Sequence, residues 1–186
     1  MNPLFAAATE IQELCVERDF GFCFIGGLAV VRWGEPRLTR DVDLTILTPP
    51  HSEERVIDAL LARFRARLDD ARSFALANRV VLARAGNGTP IDVALGGLDF
   101  EERTVRRSSL WDVGEVELRT CSAEDLVVHK VFAGRDQDWL DVAGIIVRQG
   151  AALDRELVVT ESAPLLEAKG TLGELERLRA MFAETT

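Results

Sequence analysis

Apolar positions along the chain alternate between two periods. Leu4, Ala8, Ile11, Leu14 and Cys15 recur at spacings of three and four, which is one face of an α-helix, so a helix is expected from Leu4 to Arg18. Phe22 to Ile25 is a short continuous apolar run, and in Val42 to Leu47 apolar residues alternate with polar ones. Both have the length and character of strands. Leu28 to Trp33, between them, reads as a helix. Thr48-Pro49-Pro50 stops the second strand. Ser52 is a candidate cap for a helix reaching about Leu68, with Val56, Ile57, Leu60, Leu61, Phe64 and Leu68 as its buried stripe. Arg55, Arg63 and Arg67 fall on its other side, where they can pair with Glu53, Glu54 and Asp58 or serve a nucleotide or RNA acceptor.

Asn78 to Ala83 and Ile91 to Leu95 flank the turn-forming stretch Ala85-Gly86-Asn87-Gly88-Thr89-Pro90, the pattern of a hairpin. Phe100 to Arg107 reads as charged and irregular, and Val113 to Arg119 as a strand. Ser122 is placed to cap a helix with acidic residues in its first turn; Leu126, Val127, Lys130, Val131 and Ala133 share its buried face. From Asp154 the chain reads as two amphipathic helices, with Leu172, Leu175, Leu178 and Phe182 on one face. The expected fold is α/β (α+β): a small mixed, twisted sheet flanked by helices, residues 1–150 forming one domain and 151–186 a helical extension packed on it.

A chain of 186 residues, 47% of them hydrophobic, can bury a single core. A formal charge of −9 argues against a broad nucleic-acid-binding surface, although Arg32, Arg37 and Arg40 make a local basic cluster. No signal pattern opens the chain and no apolar run approaches the ~20 residues of a membrane span. Cys15, Cys23 and Cys121 lack metal or redox spacing and read as buried free thiols of a reducing compartment, so a cytoplasmic location is expected. With only two histidines, His51 and His129, zinc is disfavoured. GxGxxG and GxxxxGK[S/T] are absent, which disfavours the Rossmann and P-loop modes of nucleotide binding.

The candidate chemistry lies between Ile25 and Leu44. Asp41 and Asp43 occupy alternate positions of the strand-like run, so they share a face opposite Val42, Leu44 and Ile46. Two carboxylates so close repel one another unless cations sit between them, and hard divalent ions such as Mg²⁺ take such ligands together with water and phosphate oxygens. Gly26 and Gly27, at the mouth of the following helix, can bring backbone N–H groups up to an anion. Asp92 interrupts the apolar face of a second strand and is a third candidate carboxylate; Asp99 is its nearest rival.

Gly26-Gly27 followed after thirteen residues by Asp41-Val42-Asp43-Leu44 resembles the hG[G/S]…DhDh signature of the DNA polymerase β-like nucleotidyltransferases. Arg37-x-Thr39-Arg40-Asp41-Val42-Asp43 is similar to its AbiEii/MenT-type branch, which includes toxins of toxin–antitoxin and phage-defence systems. So is the later block Lys130…Ala133…Arg135…Asp138…Asp141. The resemblance implies a minimal nucleotidyltransferase fold and transfer of a nucleoside monophosphate from an NTP to a hydroxyl on tRNA, protein or a small molecule. It places Mg²⁺ (or Mn²⁺) on Asp41, Asp43 and Asp92. Gly26, Gly27, Arg37, Thr39, Lys130, Asp138 and Asp141 then contact the nucleotide, and an antitoxin protein is an expected partner.

For Lys130 the alternative is an ion-pair network joining two helices through Asp138 and Asp141. For the chain as a whole, the alternatives are a catalytically silent relative that binds nucleotide or a partner, and a structural domain whose acids pair with Arg32, Arg37 and Arg40.

Overall fold

A computed structural model describes residues 2–185. In chain order the elements are α1 (Pro3–Glu17), β1 (Phe22–Phe24), α2 (Gly26–Trp33), β2 (Val42–Leu47), α3 (Glu53–Arg63), β3 (Arg65–Ala66), α4 (Ala71–Asn78), β4 (Val80–Arg84), β5 (Pro90–Gly96), α5 (Asp99–Arg107), β6 (Ser109–Asp112), β7 (Glu117–Thr120), α6 (Ala123–Ala133), α7 (Asp136–Gln149), a 3₁₀ turn (Gly150–Ala152), α8 (Arg155–Lys169) and α9 (Gly173–Glu184). They divide into two compact units: the chain up to Leu28 with Leu38–Cys121, and Ala29–Arg37 with the chain from Ser122 onward.

The first unit is built on a seven-stranded mixed sheet of order β3-β4-β5-β2-β1-β7-β6. β2 runs parallel to β5 and antiparallel to β1, while β1 runs parallel to β7. Alternation sorts the central strands: Val42, Leu44 and Ile46 of β2 and Ile91, Val93 and Leu95 of β5 are buried in one core with Ile11 and Leu14 of α1 and Ile57 and Leu60 of α3. That leaves Asp43 and Asp92 on the opposite face.

Three segments depart from the expectations above. Phe100 to Arg107 is helical, not irregular. Only Phe100 and Thr104, one turn apart, are buried there, and the charges hid so thin an apolar stripe. Asp99, Glu101 and Glu102 open this helix and Arg106 and Arg107 close it, the distribution that the helix dipole favours. The helix after Ser52 stops at Arg63 rather than near Leu68, because Phe64 turns extended (φ −116°, ψ 147°). There Phe64 stays buried while Arg65 and Ala66 pair with Arg84 and Ala83. Gly114, at φ 93°, breaks the expected Val113 to Arg119 strand into the turn of the β6–β7 hairpin.

The second unit is helical. Ser122 caps α6 as expected, its hydroxyl accepting from the Asp125 N–H at 3.1 Å. α6 packs on α7 and α8, and α9 on α8. The segment Ala29–Arg37 is tied to α7: Arg148 donates to the Val31 and Gly34 carbonyls, Gln149 to that of Trp33, and a Cβ on Gly144 would lie 3.2 Å from the Glu35 nitrogen. Leu175, Leu178 and Phe182 are buried, but Leu172 is half exposed, since it precedes α9 as its cap. Cys15, Cys23 and Cys121 are free and buried, and burial pushes the Cys15 thiol up to about 12. Among the described residues no helix is long and apolar enough to cross a membrane.

Candidate active site

In the sheet unit two of the three candidate carboxylates share one face, and Asp41 precedes β2. Asp43 and Asp92 are direct cross-strand partners in the parallel β2–β5 register, and Asp41 lies two residues before Asp43. Each is held by a different group. The Thr39 hydroxyl donates to Asp41 Oδ1 at 3.1 Å; the Gly27 N–H reaches Asp43 Oδ2 at 3.4 Å; Arg67 Nη1 lies 2.5 Å from Asp92 Oδ1. Asp99 is exposed in the first turn of α5.

The Gly-Gly turn is fitted to these side chains. Gly26 has φ +60°, and a Cβ there would lie 2.1 Å from Asp43 Oδ2; one on Gly27 would lie 2.2 Å from Thr39 Oγ1. Gly26→Ala is expected to cost about 2–3 kcal/mol, combining a left-handed backbone with displacement of the carboxylate. Gly88→Ala is the control. Its φ is +86° but its Cβ would meet nothing within 4 Å, so only the backbone cost of about 1 kcal/mol applies. Equal losses in thermal unfolding would mean that Asp43 gives way freely.

The carboxylates supply the hard oxygen donors that a magnesium-type ion takes, and the register of Asp43 with Asp92 lets two of them face one ion. Among the described residues no three His, Cys, Asp or Glu side chains are grouped as a ready ligand set. The donor chemistry therefore fits a divalent ion, with Asp92 having to leave Arg67 to complete it. Sequence reasoning placed Arg67 on the face of a helix and missed this contact, because the two-residue β3 before it is too short to show an alternation.

In the helical unit, Lys130, Asp138 and Asp141 form a buried charge network that the partly exposed Arg37 joins. Lys130 Nζ lies 3.0 Å from Asp138 Oδ1 and 2.8 Å from Asp141 Oδ2, with all three side chains no more than 7% exposed. Arg37 grips Asp141 with two parallel hydrogen bonds of 2.7 and 2.9 Å, and Arg135 Nε meets Asp138 Oδ2 at 2.7 Å. Burial pushes the Asp141 carboxyl up, but hydrogen bonds from Arg37 and Lys130 and the charge of Lys130 outweigh it and hold the group at about 2. Asp138 is likewise held down, against its burial, by Arg135 and Lys130. The lysine thus has the aspartate partners its burial requires. Arg32 stacks on Trp33, its guanidinium 4.1 Å from the ring centre.

Solved structures of similar fold carry related descriptions. The antibiotic-resistance factor ANT(2'')-Ia, determined in solution, aligns with a TM-score of 0.56 at 15% identity over 92% of this chain and 96% of its own. Its complex with adenylyl-2''-tobramycin aligns at 0.54 and 17% identity over 87% and 95%. An antigenic nucleotidyltransferase-like protein from Paracoccidioides brasiliensis aligns at 0.50 and 14% identity over 92% and 91%. At such identities these similarities establish the nucleotidyltransferase fold. No curated protein matches the chain in sequence. The family described as "Nucleotidyl transferase AbiEii toxin, Type IV TA system" matches residues 16–183, so the chain with the glycine-backed carboxylate face belongs to the AbiEii nucleotidyltransferase toxin family.

Proposed function

We propose that this protein transfers a nucleoside monophosphate from an NTP to a hydroxyl of tRNA, protein or a small molecule, as the toxin of a toxin–antitoxin or phage-defence pair whose partner is an antitoxin. The observation that carries this reading is the Asp43–Asp92 register pair backed by a turn that only glycine can make. Asp41, Asp43 and Asp92 would hold Mg²⁺ or Mn²⁺, which when bound offsets the negative charge of a transferring phosphoryl group. Gly27 fixes the Asp43 carboxylate and Thr39 that of Asp41. Asp92 accepts the proton of the acceptor hydroxyl as its oxygen bonds to the α-phosphorus; the bond to the β-phosphate oxygen breaks and pyrophosphate leaves.

Gly26, Gly27, Arg37, Thr39, Lys130, Asp138 and Asp141 serve the nucleotide. Arg37, Lys130 and Arg135 gather at Asp138 and Asp141 in the helical network, and cationic side chains are what a triphosphate requires.

One observation favours a second reading, a catalytically silent relative that binds nucleotide: Asp92 is neutralised by Arg67. Incubation of the full chain with each labelled NTP, Mg²⁺ or Mn²⁺ and a cell extract separates the two. Transfer of label to RNA, protein or a small molecule is expected, and metal-dependent NTP binding is expected to vanish in Asp41→Ala/Asp43→Ala. Metal-dependent binding without transfer would establish the silent relative; a double variant that binds as well as the parent would overturn the metal reading.

A further inference from the structure

The backbone of Arg67 is anchored beside the carboxylate it contacts. Its N–H donates to the Leu82 carbonyl at 3.0 Å, and Leu82 is the cross-strand partner of Asp92. Asp43, Asp92 and Leu82 therefore form one row across β2, β5 and β4, and the backbone of Arg67, just past β3, continues it. The side chain itself is 24% exposed, and its guanidinium sits on Asp92 Oδ1. A long, partly solvated arginine on a fixed Cα can swing away at small cost, whereas a carboxylate oxygen that accepts a guanidinium N–H has that lone pair engaged.

We infer that Arg67 is a resident counter-cation that a divalent metal must displace from Asp92, and that it thereby sets the metal affinity of the site. This rests on the metal-binding reading above. While paired, Arg67 relieves the repulsion between Asp92 and Asp43 that facing carboxylates otherwise carry. Displacement frees an oxygen of Asp92 for the metal and leaves a mobile guanidinium at the rim. Losing Arg67 removes the competitor, so metal binding becomes tighter.

The test is Mn²⁺ titration of the nucleotide-free full chain, with free Mn²⁺ read by its paramagnetic resonance signal. Arg67→Ala is expected to tighten binding about fivefold, the scale of a partly exposed ion pair. Arg65→Ala removes the same charge from a residue paired with Arg84 rather than with an acid and is expected to change affinity less than twofold. Asp43→Ala and Asp92→Ala are expected to weaken it at least tenfold. If these two bind Mn²⁺ as the parent does, the metal reading fails and the inference falls with it. If they weaken while Arg67→Ala is unchanged or weaker, or while Arg65→Ala tightens as much, the metal reading stands and the role of Arg67 is overturned.

Discussion

Asp43→Asn is expected to lower nucleotidyl transfer at least a thousandfold while leaving the fold intact. Asparagine keeps the shape of the side chain and an oxygen for the Gly27 N–H, so the contact that the left-handed Gly26 makes room for survives and the melting temperature should move by only a few degrees. What is lost is the charge. Removing one preorganised electrostatic contact typically costs a factor of 10²–10³, and a carboxylate that also holds a metal carries more. On the proposed mechanism Asp41, Asp43 and Asp92 serve one charge, so their effects should not multiply: Asp41→Asn/Asp43→Asn is expected within about tenfold of Asp43→Asn alone. Single-turnover transfer of labelled nucleotide measures both. Asp43→Asn retaining more than a tenth of the parent rate would remove the carboxylate face from the chemistry.

The same face shows what was legible in the sequence. Asp43 could be read because strand alternation sets it opposite Val42 and Leu44; Asp41 lies before the first residue of β2, where alternation does not reach. Asp92 could be read because it breaks an otherwise apolar strand, and the parallel register that sets it opposite Asp43 follows from burying Ile91 and Val93 beside Val42 and Leu44.

Contacts made by side chains across long separations were not legible. Arg67 reaches Asp92 from a stretch after a two-residue strand, too short to carry a period, and Arg37 meets Asp141 across 104 residues. α5 escaped for a different reason: its stability lies in end charges and in Glu101 capping the Gly97 and Leu98 amides, features that a search for an apolar stripe does not register. Lys130 stood out as a lysine on an apolar face, and the sequence left open whether phosphate or aspartate answers it. The structure gives it Asp138 and Asp141 within the helical unit.

That network makes Lys130→Met the most destabilising single change expected. Lys130 contacts both aspartates, and removing one partner of a buried ion network costs about 3–5 kcal/mol; Arg37 stays on Asp141 and Arg135 on Asp138, which sets the loss at the lower end of that range. Arg135→Ala, by contrast, removes a side chain that is 77% exposed and should cost less than about 1 kcal/mol. The dependence on pH separates a charge effect from a packing effect. In the parent, Asp141 titrates at about 2 against an ordinary value of 3.8. Its depressed pKa contributes stability that is present above 3.8 and is lost as pH falls through that interval toward 2; Asp138, also depressed, acts in the same direction. Without Lys130 the burial of both carboxyls is opposed only by Arg37 and Arg135, their pKa values rise, and acid destabilises the fold less through them. Chemical unfolding between pH 5 and 3 should therefore show stability falling in the parent and falling less steeply in Lys130→Met. Lys130→Met/Asp138→Asn/Asp141→Asn should recover at least half of the loss at neutral pH, since it neutralises the three buried members together and leaves charge only on Arg37 and Arg135, which reach solvent. A single variant that loses stability yet keeps the parent's acid sensitivity would show that Lys130 acts by packing its methylene stem, not by its charge.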